Sequence, residues 1–333
     1  MFDIAGILIL IVLMAVFGFL TVRARKLKNP FLKWAGMFLA GLLTLLPAVL
    51  FVLGVVGFYK LNARHDNPVA AIRVAGTPAQ IARGERLANI CLSCHTSGNQ
   101  LPLSGTDFAA KFGFPPLGTL YAPNLTPSGN IKDWTDGEVI RAIREGVHKN
   151  GRSLLIMPSG NFRKMSDEDV QALVAFLRSQ PGTGGPTPNN QFNLLGAVFM
   201  NLSDLRAAQQ PAGIVTAPQA GTLEYGRYMV DIIGCRDCHG AELQGRVDNG
   251  QPGPPAGPDL TRIVPGWTEE QFMDFFNTGT LPGGGKVPIL TLPSGFSEPR
   301  MPWPMVRAVT TDDELKAIYA YLHSLPAMKS PTR

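Results

Sequence analysis

Cys91-Leu92-Ser93-Cys94-His95 decides the reading of this chain, and its pattern returns as Cys235-Arg236-Asp237-Cys238-His239. Cys-x-x-Cys-His is the attachment pattern of a c-type haem. The residue order follows from the chemistry. Two thiols three positions apart add to the two vinyl groups of one porphyrin, and the next residue, a His, is held under the iron as proximal ligand. The chain has 4 cysteines, all in these two pentapeptides, so none is left for a disulfide. A redox dithiol needs no His directly after the second Cys. A tetrahedral zinc site needs a second ligand pair near each motif, and no further Cys exists. Two covalently bound haem c groups are therefore expected, at Cys91 and Cys94 and at Cys235 and Cys238.

Working outward, the 333 residues leave room for two or three domains. Hydrophobic content of 45% with 17% charged residues is high for a wholly soluble protein, and the excess lies in the first 60 residues. The net charge of +5 is also local. Arg23, Arg25, Lys26, Lys28 and Lys33 against Asp3 leave +4 in residues 1–59 and only +1 in the remainder. No basic patch is left, so nucleic-acid binding is not indicated.

Ile4 to Val22 runs 19 residues without a charge, enough to cross a hydrocarbon core of roughly 30 Å. A cleaved signal peptide would carry its basic residues ahead of the apolar run; here Met-Phe-Asp leads and Arg-Ala-Arg-Lys follows. A second apolar run, Phe31 to Tyr59, is interrupted only by Lys33. Its length calls for tilt or an interfacial start at Phe31 and Trp34. Gly36 and Ala40 form a small-xxx-small pair suited to helix packing. The basic connector is cytoplasmic by the positive-inside rule, which puts everything after Tyr59 outside. Haem c is attached on that side of bacterial membranes, so the chain is expected in the bacterial inner membrane with its haem regions in the periplasm.

The second half answers the first. The two attachment motifs pair at an offset of 144, as do Met157-Pro158 and Met301-Pro302. Ala122-Pro123-Asn124-Leu125 answers Gly257-Pro258-Asp259-Leu260, and Trp134-Thr135 answers Trp267-Thr268. Each half reads as an opening helix (Ala79 to Cys91; Thr222 to Gly234), a middle helix and a closing helix. The middle helices start in capping boxes, Thr135-x-x-Glu138 and Thr268-x-x-Gln271. The closing helices start at Ser166 and Thr311, show a 3.6 period and stop before Pro181 and Pro326. No segment shows convincing strand alternation. The expected architecture is all-α: a transmembrane hairpin in 1–60 (4–22 and 31–59), haem domains at 61–182 and 221–333, and a linker at 183–220. Within the linker, Phe192 to Leu205 is apolar and helical, too short to span a membrane, and expected to pack against a haem domain or a partner.

The proximal ligands are His95 and His239. A Met thioether suits the sixth position of an electron-transfer haem, because it favours reduced iron. Met157 and Met301 sit at the same place in both halves, although a Met is usually a core residue. Met165 and Met305 are nearby substitutes, and His148 is a rival ligand in the first half. His65 and His323 read as surface residues. The other ring nitrogen of a ligating His needs a fixed acceptor, and the carbonyls of Pro123 and Pro258 are the natural ones. Tyr121, Trp134 and Trp267 are candidates for the haem edges.

Cys-x-x-Cys-His, then x-Pro-x-Leu, then Met-Pro before a final amphipathic helix resembles the order of class I cytochrome c domains, over residues 80–180 and 221–326. Ala-Pro-Asn-Leu-Thr-Pro and Arg-Met-Pro-Trp are similar to the cytochrome c subunits of membrane-bound alcohol and gluconate dehydrogenases. Those subunits usually carry three haem domains and a different membrane attachment. Two-haem, membrane-tethered cytochromes serving quinol-oxidising complexes share the order too. The resemblance implies Met ligation at 157 and 301 and the carbonyl role at 123 and 258.

The expected function is a membrane-anchored dihaem electron carrier with no catalytic residue. Its donor is a quinol-oxidising complex or a dehydrogenase, and its acceptor an oxidase, a reaction centre or a soluble cytochrome, within a respiratory or photosynthetic complex. A dihaem peroxidase or thiosulfate-oxidising enzyme is the alternative, and would need an open iron position. An assembly subunit whose hairpin docks a larger complex is a third reading.

Overall fold

The structure, a computed structural model, describes residues 3–114, 116–202, 208–248, 250 and 253–331. The leader Met1-Phe2, residues 203–205 of the apolar linker stretch and the last two residues of the second half lie outside them.

The hairpin is two long helices, α1 (Ile4–Ala24) and α2 (Pro30–Asn62). Asp3 caps α1 through the Gly6 N–H, and Asn29 caps α2 by accepting from the N–H groups of Phe31 and Leu32. The helices therefore run a few residues beyond the apolar stretches that define them. Gly36 packs on Ala24, and Ala40 is buried, so the small-xxx-small pair does face α1. Thr21 and Thr44 donate to the carbonyls of Phe17 and Ala40, so neither of these hydroxyls stands bare on an apolar face. Leu8, Val12, Phe38, Leu46 and Val52 are exposed along its length. Both helices are long and apolar enough to cross a membrane.

After the hairpin, α3 (Pro78–Ala88) passes through the 3₁₀ turn Asn89–Cys91 into α4 (Leu92–His95). Then come α5 (Phe108–Phe112), α6 (Asp136–Glu145), α7 (Ser159–Phe162) and α8 (Asp167–Ser179). The linker holds α9 (Leu194–Leu202). The second half follows with α10 (Leu223–Ile233), α11 (Cys235–His239), α12 (Leu260–Ile263), α13 (Glu269–Thr278), α14 (Trp303–Val309) and α15 (Asp312–Ser324). The capping boxes at Thr135/Glu138 and Thr268/Gln271 are formed. Ser166 and Thr311 cap the closing helices through the N–H groups of Asp169 and Glu314.

In each half the opening helix crosses the closing one. The crossing point is a glycine: a Cβ on Gly84 would stand 1.9 Å from the Ala172 carbonyl oxygen, and one on Gly226 2.0 Å from that of Ala317. Leu87, Val174 and Leu177 fill the first crossing, and Met229, Ile232 and Leu315 the second. One continuous core runs through both halves.

The all-helical expectation needs one correction. Among the described residues there are three antiparallel ribbons: β1 (Thr106–Asp107) with β3 (Tyr121–Ala122), β2 (Gly118–Thr119) with β4 (Gln191–Phe192), and β5 (Ile289–Thr291) with β6 (Ser297–Pro299). Strands of two or three residues are too short to print an alternation. The β2–β4 ribbon also means that the linker is no free tether. Asn193 donates to the Pro116 carbonyl, and Gly196 packs on that of Leu117, so α9 sits fixed between α2 and the first half.

Candidate functional site

Each attachment motif ends an opening helix, so its two cysteines stand one helical turn apart. All four thiols are free and half-buried. Burial pushes Cys91 and Cys235 up to about 12, and Cys94 to about 11.

The His side is built the same way twice. His95 Nδ1 lies 2.8 Å from the Pro123 carbonyl oxygen, and His239 Nδ1 lies 2.7 Å from that of Pro258. A carbonyl only accepts, so each Nδ1 carries the proton and each Nε2 keeps its lone pair. Burial lowers both imidazoles below the ordinary histidine value, against the raising effect of that hydrogen bond. The proline turns are themselves pinned. Asn124 Oδ1 accepts from the Thr126 N–H and hydroxyl, and Asp259 Oδ1 accepts from the same two groups of Thr261. Leu125 N–H donates to the carbonyl of Leu103, and Leu260 N–H to that of Leu243. Gly105 and Gly245 N–H groups close the loop on the carbonyls of His95 and His239.

Those last four residues, Leu103, Gly105, Leu243 and Gly245, are missing from the sequence reading. The signal was a repeated Leu-x-Gly, hidden because the loop after the His is longer in the first half.

The Met side repeats as well. Met157 and Met301 are half-buried against the core, and each carbonyl accepts from the N–H two residues on, at 2.8 and 2.7 Å. Pro158 and Pro302 adopt nearly the same backbone, φ −78 and ψ 52 against φ −76 and ψ 56. Met165 is 1% exposed and fills the core, whereas Met305 is half-buried. Ile156, just before Met157, has φ +68, a conformation a β-branched residue adopts only under strain. His148 Nδ1 is engaged by Asn150, and its ring stands edge-on to Trp134. His65 is not a free surface residue: its Nε2 lies 3.0 Å from the Ser153 hydroxyl. His323 is exposed.

Tyr121, Pro123, His148, Leu154 and Leu155 line a cavity of about 140 Å³, together with Phe58, Leu61 and Asn62 of α2. The carbonyls of Trp134 and Trp267 accept from Arg178 and from the Tyr319 hydroxyl, and the Trp267 ring packs edge-on against Phe275. The α2 cavity wall has no sequence signal, because it joins residues far apart in the chain.

The two halves meet motif to turn. Asp237, inside the second attachment motif, accepts from Asn161 in α7, and Lys164 pairs with Asp231. Reciprocally, α14, which follows Met301, lies over the turn Asn89–Cys91. The β5–β6 ribbon reaches the first motif, where Lys111 donates to the carbonyls of Ser93 and Thr96 and stacks on Phe296. Glu298 on β6 bears electrostatically on both Cys94 and Cys238.

Two thiols, an imidazole whose Nε2 keeps its lone pair and a half-buried thioether are residue types that could hold a haem covalently, and the first half contains them all. Residues 81–181 match the family model Cytochrome c, and such a domain carries covalently bound haem c. The chain is 31% identical to one of the subunits of nicotinate dehydrogenase from Pseudomonas putida, over 60% of this chain and 18% of that protein. It is 33% identical to the gluconate 2-dehydrogenase cytochrome c subunit of Pantoea cypripedii, over 48% of this chain and 38% of that one. It is 26% identical to the cytochrome c subunit of alcohol dehydrogenase (quinone) of Gluconacetobacter polyoxogenes, over 78% and 59%. The chain thus spans less than two thirds of the length of each.

Proposed function

We propose that this chain is a membrane-anchored dihaem cytochrome that relays single electrons on the outer face of the bacterial inner membrane, as a subunit beside a dehydrogenase. The observation that supports it most is the double construction: two histidines with Nδ1 tied to a proline carbonyl, and two Met-Pro turns of the same backbone shape. On this reading residues 61–182 and 221–333 are two cytochrome c domains, and 1–60 is the transmembrane anchor. A haem c bound at each motif supplies reversible one-electron chemistry at iron. The chain's residues do the rest: Cys91, Cys94, Cys235 and Cys238 hold the porphyrins, His95 and His239 present Nε2, and Met157 and Met301 offer the sixth ligand. Pro123 and Pro258 keep each ring from rotating. With both ligands in place no iron position is left for a substrate, so the protein itself is not the catalyst. The relatives named above lend the dehydrogenase as donor; a quinol-oxidising complex fits the same anchor. An oxidase, a reaction centre or a soluble cytochrome would accept.

The test is a haem assay with ligand spectroscopy on the membrane-extracted chain. Two haems per chain are expected, with a far-red sulfur-to-iron absorption that falls by about half in Met157→Leu or Met301→Leu and is unchanged in Met165→Leu. One haem per chain, or rapid and complete carbon monoxide binding to the reduced protein, overturns the reading and favours an open-site dihaem enzyme.

A further inference from the structure

The apolar helix α9 has two faces with different fates. Gly196, Ala197, Val198 and Met200 are buried. They are covered by α2 on one side and by the first cytochrome domain on the other. A Cβ on Gly57 would stand 2.1 Å from the Ala197 carbonyl oxygen, and one on Gly54 2.3 Å from a Leu194 methyl, so α2 and α9 touch backbone to backbone. Across the hairpin, Gly6 meets the Leu194 Cβ, and Asp3 accepts from the Leu194 N–H. The other face carries Leu195 at 57% and Leu202 at 70% exposure, with Phe199 half-buried between them. Their spacing of 4 and 3 residues puts all three on one side of the helix.

The hairpin fixes the height of that face. Taking Trp34 as the inner interfacial anchor, 20 residues at 1.5 Å each cross about 30 Å of hydrocarbon and arrive at Gly54. Gly6 lies just inside the outer end of α1. Both helices therefore set α9 at the outer boundary between acyl chains and headgroups. The exposed Leu195 and Leu202 continue the apolar surface of the hairpin, while Phe199 between them turns toward Phe114 and Leu117 of the first half and Phe192 of β4.

Resting on the anchor reading above, we propose that α9 is a third membrane element: an interfacial helix that presses Leu195 and Leu202 into the outer leaflet. It binds the lipid surface itself, and through the β2–β4 ribbon it holds the first cytochrome domain down on the bilayer. A segment read as a linker between domains is then part of the membrane attachment.

The test uses the full haem-loaded chain in phosphatidylethanolamine–phosphatidylglycerol nanodiscs, where both faces are open to solvent. The native cysteines are consumed by haem attachment, so an introduced one is the only free thiol. Leu195→Cys, Leu202→Cys, Leu46→Cys in the hairpin and Ile214→Cys, 91% exposed, are labelled with a charged maleimide, each variant retaining its haem spectrum. Positions 195, 202 and 46 are expected to react at least tenfold more slowly than 214. Fast labelling at 195 and 202 with 46 still protected overturns the interfacial helix and leaves the anchor standing. Fast labelling at 46 removes the anchor, and the inference with it.

Discussion

Ile156 carries a left-handed backbone, φ +68, immediately ahead of Met157. Its branched Cβ makes that conformation costly, about 1–2 kcal/mol relative to the right-handed region. The counterpart ahead of Met301 is Arg300, which is not among the strained positions. Strain beside one Met and not the other separates two sites that the sequence presents as equals. Ile156→Gly relieves about 1 kcal/mol of strain but adds a comparable entropy to the unfolded chain and gives up a half-buried side chain, so the melting temperature should stay level or fall slightly. If Met157 is a ligand held by that strain, the same variant should broaden the signal of the first site; heat denaturation and redox titration read the two effects separately. A second residue-scale expectation concerns Asp259. Burial raises its carboxyl, but hydrogen bonds from Ser330 and Thr261, helped by Arg262, hold it net below the ordinary aspartate value. An acid whose native value is depressed stabilises the fold fully above its unfolded value near 4, and loses that contribution as pH falls through the native one. The tail that bonds through Met328 and Ser330 should therefore loosen below about pH 4, earlier than the rest of the second half. Hydrogen exchange at Met328 against pH checks it, and Asp259→Asn should flatten the dependence.

The helices were the most legible part of the chain, because their starts rest on local chemistry. Thr135 with Glu138 and Thr268 with Gln271 are capping boxes in the sequence and in the structure, as each bond spans three residues. The crossings were not legible. Gly84 and Gly226 look like ordinary helical glycines until Ala172 and Ala317, some ninety residues on, arrive against them. Gly84→Ala or Gly226→Ala should cost about 2–3 kcal/mol, since the obstructing atom is a backbone carbonyl that cannot step aside. Gly160→Ala, where a Cβ meets nothing within 4 Å, should be neutral or slightly stabilising. Urea titration of the three variants settles the ranking. The ribbons were invisible for a different reason: two residues of strand hold no pattern, and β2 finds β4 some seventy residues later. In the candidate site the two Cys-x-x-Cys-His motifs were legible because their residues are contiguous. The buttress of Leu103 and Leu243 was not, because loops of unequal length bring it in.

For the whole molecule, the decisive contact is the buried cluster around Arg83. Its guanidinium bridges Asp169 at 2.8 Å in its own half and Glu314 at 2.5 Å in the other. The Tyr225 hydroxyl donates to Glu314 and the Tyr228 hydroxyl to Asp169. Those two carboxylates push both phenols up, after burial, while Asp169 and Glu314 hold the arginine charge in place despite its burial. Arg83→Ala leaves two carboxylates facing each other without a cation. It should cost about 3–5 kcal/mol and split a single melting transition into two. The triple variant Arg83→Met, Asp169→Asn, Glu314→Gln should recover most of that loss, because no bare charge then stays inside; calorimetry reads both.

The second hairpin helix runs 33 residues, continuing through Pro47, and ends among the residues that wall the cavity beside the first half, Phe58, Leu61 and Asn62. A stalk built that way leaves no free linker between the hairpin and the wall it ends in. A carrier on a floppy leash can swing between a giver and a taker of electrons. On the proposed anchor this one would drift only sideways, and whatever exchanged electrons with it would have to meet it at one fixed altitude, either by gliding in the same sheet of lipid or by staying bolted alongside.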